Sequence, residues 1–124
     1  MSNKIQLLYV DDEPINLKIF ELTFSSKFKV KTALSGFEGM TILENNPEIK
    51  VVVSDMRMPK MDGLEFIRKS KELYPNIIFF ILTGYEITDE ISDALDNNLI
   101  NKYFKKPFNI KEIESSVENA MAAL

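Results

Sequence analysis

"VVVSDMRMPKMDG", Val51 to Gly63, passes from three β-branched apolar residues into an acid and then into a loop built from Arg, Met, Pro and Gly. An apolar run of that kind, closed by turn residues, reads as a buried strand. Asp55 stands where the strand ends. A lone Asp in such a place is ordinarily a turn former or a helix cap, so its meaning depends on what the rest of the chain brings beside it.

Outward from this strand, apolar runs alternate with segments of helical periodicity along the whole chain, the pattern of βαβ units and a parallel sheet covered on both faces. Strands are expected near Ile5 to Val10, Lys27 to Ala33, Lys50 to Ser54, Ile77 to Leu82 and Asn101 to Phe104. In the second, Lys27, Lys29 and Lys31 alternate with Phe28, Val30 and Thr32, which marks an edge strand whose charges discourage further pairing. The expected fold is therefore α/β and flavodoxin-like, a (βα)5 three-layer sandwich with a parallel five-stranded sheet in the order 2-1-3-4-5.

Helix starts carry their own signals. Ser35 with Glu38, Asp62 with Glu65 and Asn109 with Glu112 each set a capping side chain three residues before an acid. Pro14 suits a first turn, where its missing N–H would have been unpaired anyway. Ile110, Ile113, Val117, Ala120 and Leu124 form one stripe along the last helix, which reads as core packing.

Composition narrows the chemistry. With 124 residues, 45% hydrophobic and 27% charged, the chain has ordinary globular composition. A chain of this length buries about two thirds of the surface exposed on unfolding. Its longest apolar run, Ile77 to Leu82, is too short for a membrane span, and "MSNKIQ" has no signal-peptide core, so a cytoplasmic protein is expected. Fifteen basic against nineteen acidic residues give a net charge of -4, which opposes direct nucleic-acid binding and favours protein partners. Cysteine and histidine are both absent, which removes thiolate nucleophiles, Ser-His pairs, sulfur-based metal sites and any phosphohistidine carried by this chain.

What remains is carboxylate chemistry. "LLYVDDEP" ends the first strand with Asp11, Asp12 and Glu13, and in the expected strand order that end lies beside Asp55, at the crevice where open α/β sheets bind ligands. Crowded carboxylates repel one another unless some protonate or a cation joins them. Oxygen-only ligands favour a hard cation, and Mg²⁺, which keeps several waters and coordinates phosphate, suits the set. The other reading is that Asp11 and Asp12 cap the helix that starts at Pro14. Thr83 in "FFILTGYE" and Lys105 and Lys106 in "YFKKPF" end the last two strands. A hydroxyl and an ammonium could bind phosphoryl oxygens, although each alone also fits a turn former or a snorkelling lysine.

Taken together, "VDDEP", "SDMRMPKMDG", "LTGY" and "YFKKPF" resemble the receiver domains of two-component response regulators, the CheY-like family, over essentially the whole chain, residues 1–124. The resemblance implies that Asp55 is a phosphoacceptor, modified by a partner histidine kinase or phosphotransfer protein, and that the only catalysis is of the domain's own phosphorylation and dephosphorylation. It implies Mg²⁺ held by Asp11, Asp12 and Asp55 with the backbone carbonyl of Arg57, Asp12 being favoured as the direct ligand. Thr83 and Lys106, followed by a cis bond to Pro107, match the hydroxyl and lysine that contact the phosphoryl group, and Lys105 is the lesser candidate. The backbone N–H groups of Met56 and Gly84 match its cradle. Thr83 and Tyr103 match the switch pair that alters a face made by the fourth helix, fifth strand and fifth helix, where a downstream protein or domain would bind. Arg57 and Tyr85 flank the path of attacking water and are expected to tune the lifetime of the acyl phosphate.

Three other readings compete. A haloacid-dehalogenase-type phosphatase needs a second Asp two residues after the nucleophile, where Arg57 stands. A flavin-binding protein of similar architecture would meet phosphate repulsion from "DDEP". A receiver-like interaction module that no longer accepts phosphate keeps the fold without the chemistry, and acetyl phosphate or beryllofluoride discriminates it. The cognate kinase, the output, homodimerisation through the last helix and the presence of further domains are left open.

Overall fold

The alternation of apolar runs and amphipathic segments becomes five strands and five helices in strict succession. The computed structural model describes residues 4–84 and 87–124. In chain order the elements are β1 (Ile5–Val10), α1 (Pro14–Phe24), β2 (Phe28–Ala33), α2 (Gly36–Asn45), β3 (Val51–Asp55), α3 (Gly63–Leu73), β4 (Ile78–Thr83), α4 (Asp89–Asp96), β5 (Lys102–Lys105) and α5 (Ile110–Ala122). All strand pairs are parallel and the order is β2-β1-β3-β4-β5, as expected.

Side chains alternate between the two faces of each strand, and two apolar layers result. Leu7, Tyr9, Val51, Val53, Phe80 and Phe104 meet Leu17, Phe20 and Phe24 of α1 and Ile113 and Val117 of α5. Leu8, Val10, Val52, Phe79 and Ile81 meet Leu43 of α2, Leu64, Phe66 and Ile67 of α3, and Ile91 and Ala94 of α4. This is the three-layer sandwich. β2 is an edge strand, as its lysines indicated.

Four of the strands differ from expectation by one residue at one or both ends, with consequences at the C-terminal ends. β3 includes Asp55, which pairs in register with Leu82, and β4 includes Thr83, which pairs with Lys105. The expected starts at Lys27 and Ile77 belong to the preceding turns, where the backbone N–H groups of Lys27 and Ile77 donate to the carbonyls of Phe24 and Tyr74. The carboxylate and hydroxyl thus stand on ladder residues rather than in loops.

The three capping pairs form as read: Ser35, Asp62 and Asn109 side chains accept from the N–H groups of Glu38, Glu65 and Glu112. α4 is capped by Thr88, which accepts from Ile91 N–H. No acid stands three residues after Thr88, so the spacing rule passed over it. The α5 stripe is shorter than expected: Ile113 and Val117 are buried, while Ile110 and Leu124 are exposed. A thirteen-residue helix is about 20 Å long and a four-residue strand about 13 Å, so the ends of α5 overhang β5.

Candidate functional site

The sheet order puts the C-terminal ends of β1 and β3 side by side, and the acids meet there. Asp11 follows β1, its N–H bonded to the carbonyl of Ala33 at the end of β2, and is fully buried. Its Oδ1 accepts from the N–H of Glu13 at 3.0 Å and its Oδ2 from the hydroxyl of Tyr9 at 2.6 Å. Asp12 is half-buried. The N-cap of α1 is Glu13, with no side-chain bond, and Pro14 opens the helix. Neither Asp11 nor Asp12 is the cap, so that alternative is set aside. Ligand oxygens from Asp11, Asp12 and Asp55 all lie within 4.8 Å of one another.

Asp55 ends β3 with its side chain 10% exposed, and Lys106 Nζ lies 3.0 Å from its Oδ1 and 3.8 Å from Asp11 Oδ2. Burial raises the Asp55 carboxyl above the ordinary carboxylate value; the hydrogen bond and charge of Lys106 oppose this, Asp11 adds to it, and the Met56 N–H opposes it. Burial wins because a charge moved out of water loses more than one part-exposed ammonium returns. Tyr9 is raised as well, chiefly by burial and then by its bond to Asp11, so its phenol keeps the proton.

Lys106 is brought in by β5 and the turn after it, where its backbone N–H donates to the carbonyl of Thr83 at 2.8 Å. Its bond to Pro107 is cis. Lys105, the last residue of β5, is exposed. Thr83 is buried at the end of β4. Gly84 follows it, exposed, and a Cβ there would rest in ordinary contact with the stem of Lys106. The N–H of Met56 is shared between Leu82 O at 3.2 Å and Asp55 Oδ1 at 3.1 Å.

Arg57 is exposed and lines, with Met56, Thr83 and Thr88, a cleft of about 220 Å³ at the mouth of the site. Tyr85 lies outside the described residues. Tyr103 stands apart from the acids, half-buried against the α4 side of the core, and lines a cleft of about 480 Å³ with Leu95 and Pro107.

Two residues escaped the sequence reading. A Cβ at Gly63 would collide with the backbone oxygen of Asp55, and Gly63 N–H donates to Met56 O at 2.9 Å, so α3 starts pressed against the end of β3. The signal was a Gly directly after the Asp62 cap. Tyr9 is the only polar side chain of "LLYV", and that oddity was the available clue.

Three carboxylates and an ammonium in one cluster, with a buried hydroxyl at the end of β4, form an oxygen-donor arrangement suited to a hard cation and a phosphoryl group. Comparison with known proteins agrees. The model of the response regulator receiver domain family matches residues 7–118. The hydrogenase transcriptional regulatory protein HoxA of Cupriavidus necator is 30% identical over 124 residues, covering 99% of this chain and 26% of that protein. Sporulation initiation phosphotransferase F of Bacillus subtilis is 31% identical over 120 residues, 95% of this chain and 93% of that one. A crystal structure of a response regulator receiver domain protein from Clostridium thermocellum superposes with a TM-score of 0.90 at 30% identity, covering 96% of this chain and 95% of that chain. The chain thus spans about a quarter of the transcriptional regulator and nearly all of the phosphotransferase.

Proposed function

The chain belongs to the response regulator receiver domain family, and from that premise we propose that it is a phosphoacceptor of two-component signalling, modified on Asp55 by a histidine kinase or phosphotransfer protein. A carboxylate oxygen of Asp55 attacks phosphorus, the P–N bond of the partner's phosphohistidine breaks, and the electron pair leaves with the imidazole, which takes up a proton. An acyl phosphate remains on Asp55.

The observation that carries this reading is the position of Lys106 Nζ, 3.0 Å from Asp55 Oδ1, at the rim of an acid cluster whose ligand oxygens lie within 4.8 Å. Asp11, Asp12, Asp55 and the carbonyl of Arg57 would hold Mg²⁺, with Asp12 the direct ligand. The ion supplies charge neutralisation for the incoming phosphoryl oxygens. Lys106 neutralises a further oxygen, Thr83 donates its hydroxyl, and the N–H groups of Met56 and Gly84 complete the cradle. Met56 N–H already bonds Asp55 Oδ1, so it stands beside the carboxylate that receives the phosphoryl group.

Phosphorylation adds charge between Thr83 and Lys106 and biases the face made by α4, β5 and α5 through Tyr103, where a downstream protein or domain binds. Near the site, α1 exposes Ile15, Ile19 and Leu22 at helical spacing, an apolar strip that suits a protein partner. Arg57 and Tyr85 retard in-line water and lengthen the phosphoryl lifetime.

The test is incubation with acetyl phosphate and Mg²⁺ followed by intact-mass measurement. One phosphoryl adduct is expected, and none in Asp55→Asn. An unmodified parent protein, with amide shifts also unmoved by beryllofluoride, would leave the inert interaction module as the better reading.

A further inference from the structure

We propose that Tyr9 is a positioning residue for the metal site: its hydroxyl fixes the orientation of the Asp11 carboxylate and thereby sets the affinity for a divalent cation. The inference rests on the reading of Asp11 as a cation ligand.

The phenol of Tyr9 is itself tightly packed. It is 1% exposed, and its ring stacks on Phe20 of α1 with centroids 4.0 Å apart and planes 11° from parallel. Phe20 in turn packs against Phe24 and Phe108, so the ring is clamped by an aromatic cluster under α1. From that clamp the hydroxyl reaches Asp11 Oδ2 at 2.6 Å, the length of a charge-assisted bond from O–H to an ionised carboxylate.

A buried tyrosine needs some acceptor, and a backbone carbonyl would satisfy it. Here the acceptor is one of the three clustered acids. The opposite oxygen of the same group, Oδ1, is held by Glu13 N–H at 3.0 Å. With one donor on each oxygen, the carboxylate plane cannot turn about its last bond. Without the phenol, Oδ2 has Lys106 Nζ at 3.8 Å as its other partner and can swing toward it. That motion would move a ligand oxygen away from Asp12 and Asp55. Donors that orient a ligating group in this way typically govern metal affinity by about 10- to 100-fold.

The experiment measures binding of Mn²⁺, as a paramagnetic probe, by electron paramagnetic resonance in the parent, Tyr9→Phe, Asp11→Asn and the double variant. Tyr9→Phe keeps the ring and its stacking. Its Mn²⁺ affinity is expected to fall about 10-fold or more, while in the Asp11→Asn background the same change should matter by no more than about twofold, the usual error of additivity. An unchanged affinity in Tyr9→Phe, or an equal loss in both backgrounds, would overturn the proposal. A second measurement needs no variant of Tyr9: in protein carrying ¹³Cζ-labelled tyrosine, the Tyr9 signal should move when Mg²⁺ is added, and a stationary signal would overturn it too. A parent protein that binds no Mn²⁺ would instead overturn the metal-site reading itself, which separates the two failures.

Discussion

Asp55 is held in the fold at an energetic disadvantage. Its carboxyl is raised in the folded state, chiefly by burial, above the value of about 3.9 expected in the unfolded chain. The folded protein therefore binds this proton more tightly than the unfolded chain does. The stability associated with it is fully present below the unfolded value and is lost as pH rises through the folded one. At neutral pH, without divalent cations, Asp55→Asn should melt at a higher temperature than the parent. Near pH 4 the two should converge. Thermal melts across pH check this, and a variant less stable than the parent at pH 7 would mean that the Lys106 ion pair outweighs burial.

At the scale of elements, the site depends on how α3 abuts β3. Gly63 opens α3 with space for a hydrogen only, because the carbonyl of Asp55 occupies the place of a side chain. Gly63→Ala forces the helix start and the strand end apart, an overpacking expected to cost about 1–3 kcal/mol in urea unfolding. The displaced backbone is that of the proposed nucleophile, so the rate of phosphorylation from acetyl phosphate should fall as well. An alanine variant with parental stability and rate would show that the contact relaxes freely. The caps illustrate a related point: Ser35, Asp62 and Asn109 were legible because an acid follows each at the capping-box spacing, whereas Thr88 caps α4 with Ile91 at that position and gave no such signal.

At the scale of the whole molecule, parallel connections bring every strand's C-terminal end to one edge of the sheet, and acids collect there that repel until a cation joins them. A ligand that binds only the folded state stabilises it by mass action, about 2.7 kcal/mol at a hundredfold excess over its dissociation constant. Mg²⁺ should therefore raise the melting temperature in a saturable manner. Asp12→Asn should shift that saturation to higher Mg²⁺, and a titration in which parent and variant respond alike would remove Asp12 from the ligand set.

The linear order of residues determined the strands, the edge lysines, three caps and the presence of acids, a hydroxyl and lysines at strand ends, because periodicity and capping are local properties of a chain. It left open, from the residues alone, whether Asp11 and Asp12 cap a helix and which of Lys105 and Lys106 reaches Asp55. It marked Tyr9 and Gly63 only as unusual residues in their segments, and did not say that Tyr9 bonds Asp11 or that Gly63 seats against Asp55. Those facts are distances between segments far apart in sequence, decided by strand register and by how closely the helical layers press on the sheet. The tertiary structure alone sets both, since each depends on the packing of all the side chains in the two cores.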